Sequence, residues 1–195
     1  MSFPFRRKAS VRKDAQLRRD RLIEAATAIF ERDGYGIALD EIAIEAGVGR
    51  ATLYRNFHDR IGLMEAVLAH KVTMVERFVA DHDDDGTLLA TFLSRQGLLV
   101  SLHASAIQTL IRDNTRKAFV ADLSRRSVAI LDQVVRRSQR AGTLRVDATA
   151  QHLRLATLML MAVGQEPRIG DYNALDLVGE ILLFGLVPRA DDLAD

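Results

Sequence analysis

Apolar residues recur along most of this chain at steps of three and four positions, the spacing of one helix face, instead of alternating as they would in a strand. The clearest case lies in residues 22–30, where one face carries Leu22, Ile23, Ala26, Ile29 and Phe30. Asp33-Gly34 then supplies a helix stop. The pattern therefore predicts an all-α fold that opens with this first helix.

Two short helices joined by a glycine-containing turn are predicted next. The first runs from about Asp40 to Ala46, and the second runs from Arg50 to about Phe57. Gly47-Val48-Gly49 makes the turn between them, because glycine readily adopts the left-handed conformation that ends a helix. Two helices connected this closely form a helix-turn-helix unit. We therefore expect a small three-helix domain near the N-terminus.

Longer helices are predicted in the rest of the chain. Asp59 can cap a fourth helix, which ends before the acidic tract His82–Asp85 and Gly86. Further helices are expected at about residues 87–99, 102–112, 117–141, 148–163 and 174–187. A larger helical domain therefore follows the small one.

The formal charge is almost balanced over the whole chain but not along it. The net charge is +1, yet residues 1–21 contain eight basic and two acidic side chains, so this segment carries +6 and the rest −5. Such a basic N-terminal arm suits a nucleic-acid partner. A solvated, disordered tail has the same composition and remains the alternative.

Composition also bears on the compartment. The chain contains no cysteine, which excludes disulfides and thiolate metal sites and fits a reducing cytoplasm. Its most apolar segments, Leu153–Val163 and Ile181–Val187, are shorter than the roughly 18 to 20 residues that cross a bilayer. No apolar stretch follows the basic N-terminus as an export signal requires. We expect a cytoplasmic protein without a membrane span.

Motifs for catalysis are missing from the sequence. The five histidines form no metal-binding helix pair, and neither a glycine-rich phosphate loop nor a serine elbow is visible. The tract His82–Asp85 could bind a cation, but a solvated loop between helices is the strongly favoured explanation. The sequence therefore predicts no catalytic residue, no metal site and no cofactor, and an all-α enzyme is the less favoured alternative.

The third helix concentrates hydrogen-bond donors on its outer faces. Such side chains can bind base edges and phosphates, and here they are Arg50, Thr52, Tyr54, Arg55 and Asn56. Two simpler interpretations stay open, since Tyr54 could be a half-buried ring and Arg55 a solvated side chain. Val48 and Leu53 are expected to pack between the helices.

The run Asp40–Phe57 resembles the signature of the TetR family of transcriptional repressors. The likeness extends back to Ala25-Ala26, Phe30 and Gly34-Tyr35 and forward to Asp59-Arg60 and Leu63, so that it covers about residues 20–70. It implies a division into a basic arm (1–19), a helix-turn-helix DNA-binding domain (20–66) and a helical ligand-binding and dimerisation domain (67–195). It also implies a homodimer that binds an inverted-repeat operator and is released by a small-molecule effector.

The resemblance assigns roles to individual residues of the small domain. It makes Arg50 and Thr52 contacts to bases or nearby backbone, and Tyr54 a phosphate contact through its hydroxyl group. Asn56 could reach either, and Arg60 stands where the family usually has a phosphate-binding lysine. Two departures from the family pattern are Ala38, which replaces a hydroxyl residue that often contacts phosphate, and Ile61, which replaces a common acidic residue.

For the larger domain, the resemblance implies dimerisation through the last two helices. Two apolar seams fit this interface: Leu153, Ala156, Leu160 and Val163, and then Leu175, Val178, Ile181, Leu182 and Leu186. Intramolecular core is the alternative for these residues. A largely apolar effector would be bound by Phe78, Phe92, Leu99, His103, Gln108, Phe119, Leu123 and Met159. A DNA-binding regulator without any small ligand remains the other alternative.

Overall fold

The computed structural model describes residues 5–82, 86–94, 107, 109–163, 168–169 and 172–187. The chain divides into two compact units, Met1–Lys71 and Val72–Asp195. The first four helices are α1 (Phe5–Asp33), α2 (Leu39–Glu45), α3 (Arg50–Asn56) and α4 (Arg60–Asp81). The division between the units falls within α4.

The second unit contains three further long helices among its described residues. Residues 88–94 and 109–112 are also helical, and a 3-10 turn, Asn114–Arg116, leads into the first long helix. The long helices are α5 (Lys117–Arg140), α6 (Ala150–Val163) and α7 (Ala174–Leu186). The predicted all-α class is confirmed, apart from an antiparallel pair of two-residue strands, β1 (Arg168–Ile169) and β2 (Tyr172–Asn173). Strands this short are too brief for an alternating pattern to predict them.

The first helix begins much earlier than predicted. It starts at Phe5 instead of Leu22, because residues 5–21 contain neither glycine nor proline and are rich in arginine, lysine, alanine and other helix-forming residues. The side chains of residues 13–18 are exposed. Without a buried face, this part of the helix leaves no apolar periodicity in the sequence.

The core of the first unit is built from one face of each helix. In α1, the predicted face is buried, and α1 packs against both α2 and α3. The fully buried large side chains of this unit are Leu22, Phe30, Ile42, Leu53, Leu63 and Val67. Burying a leucine, isoleucine or phenylalanine side chain contributes about 1.5–3 kcal/mol to the stability of the fold. This small core therefore holds α1, α2 and α3 against one another.

The core of the second unit includes residues that were predicted for a dimer interface. Leu153, Ala156 and Leu160 of α6 are buried within a cluster that also includes Phe92 and Val134. The prediction of these three residues as an interface seam was therefore wrong, and the intramolecular alternative is confirmed for them. Val178 and Leu182 of the second predicted seam also pack against this cluster.

Arginines of α5 hold the C-terminal part of α4 in the second unit. The Arg126 guanidinium donates to both carboxylate oxygens of Glu76, at 2.8 and 2.6 Å, and this hydrogen bonding lowers the pKa of Glu76. Arg137 donates to the carbonyl oxygens of Val79 and His82 at the end of α4. These bonds satisfy carbonyl groups that a helix end leaves without intrahelical partners.

None of the helices found in the described ranges is both long enough and apolar enough to cross a membrane.

Candidate nucleic-acid interface

The turn between α2 and α3 has the geometry that the glycine pattern predicts. Gly47 adopts a φ of 64°, a left-handed conformation that costs other residues more than glycine. Its N–H donates to the carbonyl of Ile44, and the N–H of Val48 donates to the carbonyl of Ala43, both at 3.0 Å. Gly49 follows in an extended conformation and directly precedes the first residue of α3. The turn thereby fixes where α3 starts.

Leu53 decides which face of α3 points outward. Its side chain is completely buried, so the opposite face is presented to solvent. Tyr54 is 45% exposed, and Arg50 and Arg55 are exposed as well, whereas Thr52 and Asn56 are half-buried. The donors predicted from the sequence therefore lie together on one short helix. Tyr54 is exposed to solvent and is not packed in the core.

Three of these side chains are bonded along the helix itself. Arg55 donates through Nε to the carbonyl of Ala51 at 3.1 Å and through Nη2 to the hydroxyl of Thr52 at 3.2 Å. The amide of Asn56 donates to the carbonyl of Thr52 at 2.8 Å. These bonds hold Arg55 and Asn56 along α3, so a partner would be contacted through their remaining donors or after rotation away from the helix.

Arg50 is paired across the turn with a residue that the sequence analysis did not select. Its Nη2 atom donates to Oδ2 of Asp40 in the first turn of α2. Asp40 Oδ1 is buried and has no hydrogen-bond partner among the described residues. Helical periodicity does not reveal this pair, since the two residues lie on different helices, and only the helix-turn-helix geometry brings them together.

The start of α4 is organised around Asp59 and Arg60. The carboxylate of Asp59 accepts a hydrogen bond from the N–H of Gly62 at 2.7 Å, which confirms the predicted cap. Arg60 is half-buried and donates through Nη1 to the carbonyl of Tyr35. The ring of Tyr35 packs against that of Phe30, with 4.5 Å between centroids, and burial raises the pKa of Tyr35. One edge of the Arg60 guanidinium is thus bound to a rigid part of the unit.

The two departures noted in the sequence have visible local consequences. Ala38 precedes α2 in an extended conformation and supplies no side-chain hydrogen bond to the helix start. Ile61 lies half-buried in the first turn of α4. That turn contains no acidic residue.

Arg19 of α1 contacts the end of α3, a link that the sequence analysis also missed. The guanidinium lies over the ring of Phe57, 4.4 Å from its centroid, and Nη1 donates to the carbonyl of Asn56 at 3.4 Å. A cation near these carbonyls also interacts favourably with the negative end of a helix. Arg19 therefore differs from the exposed Lys13, Arg18 and Arg21 on the same helix.

The residues predicted to bind a ligand have different surroundings in the second unit. Phe92 is buried in the core cluster, and Phe78 packs against that cluster and contacts the ring of His82 edge-on. Phe119 and Leu123 of α5 are half-buried, while Met159 of α6 is 49% exposed. The remaining three, Leu99, His103 and Gln108, lie outside the described residues.

A metal site is another candidate to consider among the residues that the structure describes. No group of three or more histidine, aspartate or glutamate side chains there is arranged to hold a metal ion. The outward donors of α3 are therefore the strongest candidate site in the first unit.

Comparison with known proteins identifies relatives of this first unit. Residues 22–67 match the family described as bacterial regulatory proteins, tetR family. An HTH-type transcriptional regulator of Staphylococcus aureus (strain bovine RF122 / ET3-1) is 37% identical over 76 residues, 38% of this chain and 41% of that protein. Another, from Staphylococcus aureus (strain USA300), is 41% identical over 59 residues, 30% and 32% of the two chains. The chain thus spans less than half the length of these curated relatives.

Solved structures resemble the chain over most of its length. A TetR transcriptional regulator of Streptomyces coelicolor has a TM-score of 0.70 at 24% identity, covering 88% of this chain and 99% of that one. NemR of Escherichia coli in its reduced form has a TM-score of 0.65 at 13% identity, covering 89% and 99%. At these identities the likeness shows a shared fold, with a helix-turn-helix unit followed by a larger helical unit.

Proposed function

Because residues 22–67 make this chain a member of the tetR family of bacterial regulatory proteins, we propose that it is a repressor that binds an inverted-repeat operator as a homodimer and is released by a small-molecule effector. Members of this family are DNA-binding transcriptional regulators, and the chain is not an enzyme. A protein with this role works where the bacterial chromosome lies, so we place it in the cytoplasm.

The outward face of α3 is the observation that carries the proposal. Leu53 anchors the helix in the core, and Arg50, Tyr54 and Arg55 lie on its exposed side. In this proposal Arg50 and Thr52 contact base edges or nearby backbone, since arginine donates to guanine O6 and N7. Tyr54 and Arg60 contact phosphates. Arg55 and Asn56 contact either base edges or the phosphate backbone after rotating from the helix.

Exposed apolar side chains on α6 and α7 support the homodimer. Leu155 is 60% exposed, and Leu158 and Met159 lie beside it at three- and four-residue spacing on α6. Ile181 of α7 is 59% exposed. Apolar residues gathered on one helix face favour association, and a two-fold dimer duplicates α3 for two half-sites.

The first test compares the base preferences of two α3 variants. Arg50→Ala should cost about 1–3 kcal/mol of binding free energy on the preferred duplex and relax preference at one base position. Tyr54→Phe removes one hydroxyl group and should weaken binding to many sequences uniformly. Selection of duplexes from a random library, followed by equilibrium titration, measures both effects.

Arg125→Ala provides a matched control for these variants. Like Arg50, Arg125 is an exposed arginine that forms an ion pair with an aspartate, but it lies on α5. Its loss should leave base preferences unchanged. If folded Arg50→Ala and Tyr54→Phe proteins kept the wild-type preference profile and affinity, recognition would not be carried by α3.

The proposed effector acts through the second unit and α4. Arg126 and Arg137 bind α5 to the C-terminal part of α4, so a ligand that rearranges α5 also displaces α4. The half-buried Phe78, Phe119 and Leu123 are apolar side chains suited to such a ligand, together with Phe92, whereas Met159 lies on the exposed face of α6 that is proposed for the dimer. Displacement of α4 would change the separation of the two recognition helices in the dimer and disfavour operator binding.

Reciprocity tests the effector proposal. A thermal-shift screen finds compounds that bind the folded protein, because such binding raises its stability. A true effector should then bind free protein about five- to 150-fold more tightly than operator-bound protein, and operator should bind more weakly to the same degree when ligand is present. Equal ligand dissociation constants for the two forms would show that the compound is not an inducer, and the failure of every compound would favour a regulator without a small ligand.

A further inference from the structure

We propose that Asp40 is a specificity-determining positioning residue, which holds the Arg50 guanidinium in the orientation from which it reads one base pair. This inference rests on the proposed function, because it takes Arg50 as a base-contacting side chain. Asp40 itself is not assigned a contact with DNA. Its effect acts through Arg50 alone.

The geometry makes Asp40 the fixed partner and Arg50 the presented one. Asp40 is in the first turn of α2 and Arg50 is the first residue of α3, so their ion pair spans the helix-turn-helix angle. The Asp40 side chain is 34% exposed and that of Arg50 is 70% exposed. Because Oδ1 of Asp40 is buried against the protein, the carboxylate has little freedom, and Oδ2 constrains the long arginine side chain.

The ion pair leaves most of the guanidinium available to a second partner. Arginine has five N–H donors in a planar fork, and Asp40 is bonded to Nη2 only. Two adjacent donors are needed for the bidentate contact with O6 and N7 of guanine. An arginine already held in one plane loses less rotational freedom on binding than a free one does. Asp40 therefore favours the base whose acceptor atoms line up with the plane of the held guanidinium.

A role in folding stability does not account for this pair. Ion pairs between exposed side chains contribute little to stability, and Arg50 is mostly exposed. A carboxylate near the phosphate backbone is also unfavourable for affinity, since phosphates are negative. An aspartate at this position is therefore expected to lower binding to all duplexes slightly while sharpening the choice among them.

Glu41 offers a matched control on the same helix. It is exposed and follows Asp40 directly along α2. Asp40→Asn and Glu41→Gln each remove one negative charge from α2 without a large change in size. General electrostatic effects should therefore be similar in the two variants, whereas a positioning effect should appear in Asp40→Asn alone.

The experiment measures dissociation constants for the selected duplex and for duplexes substituted at each base pair in turn. Asp40→Asn should reduce discrimination at the Arg50-dependent position about tenfold and leave the other positions unchanged. In an Arg50→Ala background, Asp40→Asn should have no further effect there. Glu41→Gln should keep the wild-type discrimination at every position. Asp40→Ser provides a second variant should Asp40→Asn fail to fold.

Three results would overturn the inference, and they show whether the proposed function fails with it. If Arg50→Ala relaxes one base position but the folded Asp40 variant retains wild-type discrimination, Asp40 does not position Arg50 and the proposed function stands. The same conclusion follows if Asp40→Asn and Glu41→Gln raise the affinity equally for all duplexes and change discrimination at no position. If Arg50→Ala changes no preference, the proposed base contact of Arg50 fails and the inference fails with it.

Discussion

At the scale of single residues, Arg19 shows how a cation of the basic segment can serve the fold. Its guanidinium packs on Phe57 and donates to the carbonyl of Asn56, so α1 holds the C-terminal end of α3. Contacts of a cation with an aromatic face contribute about 0.5–2 kcal/mol, depending on solvent exposure. Arg19 thus supports the orientation of α3 from a helix that lies far from it in sequence.

We predict that Arg19→Ala lowers the free energy of unfolding by about 1 kcal/mol, through loss of the ring contact and the hydrogen bond. Urea unfolding followed by circular dichroism measures this difference. Arg18→Ala is the matched control, because Arg18 is an exposed neighbour on the same helix and should change stability by less than about 0.5 kcal/mol. Equal stabilities of the two variants would mean that the Arg19 contacts do not stabilise the fold.

The residues that the sequence could and could not predict differ in the range of their contacts. Leu53 inside and Tyr54 outside follow from helical periodicity, which depends on near neighbours. Asp40 and Arg19 matter through partners 10 and 37 residues away. Each pair comes into contact only after α1, α2 and α3 have packed, so no local sequence pattern marks these two side chains.

At the scale of elements, α6 shows the limit of an apolar pattern. The helix has an inner face with Leu153, Ala156 and Leu160 and an outer face with Leu155, Leu158 and Met159. Both faces satisfy the three- and four-residue spacing, so periodicity predicts a helix but does not say which face the same subunit covers. The face first chosen for the dimer belongs to the core, and the outer face now takes that proposed role.

The first helix shows the opposite limit. Residues 13–18 of α1 are exposed and lie within the basic segment 1–21, so their helical state depends on helix-forming residues and on continuity with the buried part of the helix. Apolar spacing detected only the stretch after Leu22. Helix propensity, summed along the basic segment, was the signal that could have extended the prediction toward Phe5.

At the scale of the whole molecule, the two units differ in how much their sequence reveals. The tetR-family match is limited to residues 22–67, while the structural likeness to the Streptomyces coelicolor regulator covers 88% of the chain. In the proposed function, the first unit binds a single kind of partner, the DNA duplex, and this partner constrains its side chains. The larger unit needs only helices that pack, which many sequences satisfy, so the residues proposed for a ligand could not be predicted with the same detail.

The whole-molecule proposal links the exposed face of α6 to DNA recognition. If Leu155 and Met159 form a dimer contact, replacing Leu155 with glutamate places a charge in an apolar interface and should weaken self-association. Binding to an inverted repeat should weaken in parallel, because each chain supplies a single α3 and the duplex offers two half-sites. Because Leu155 is 60% exposed, this substitution should leave the fold of each chain intact.

The most direct test is sedimentation of the protein with a labelled duplex selected by it, combined with footprinting of the same duplex. The account predicts two chains, or two pairs, per duplex and two related half-sites with centres about 34–36 Å apart; Leu155→Glu should lose this complex at concentrations where the wild-type protein forms it. A single chain protecting one unrepeated site, or binding without any sequence preference, would contradict the account.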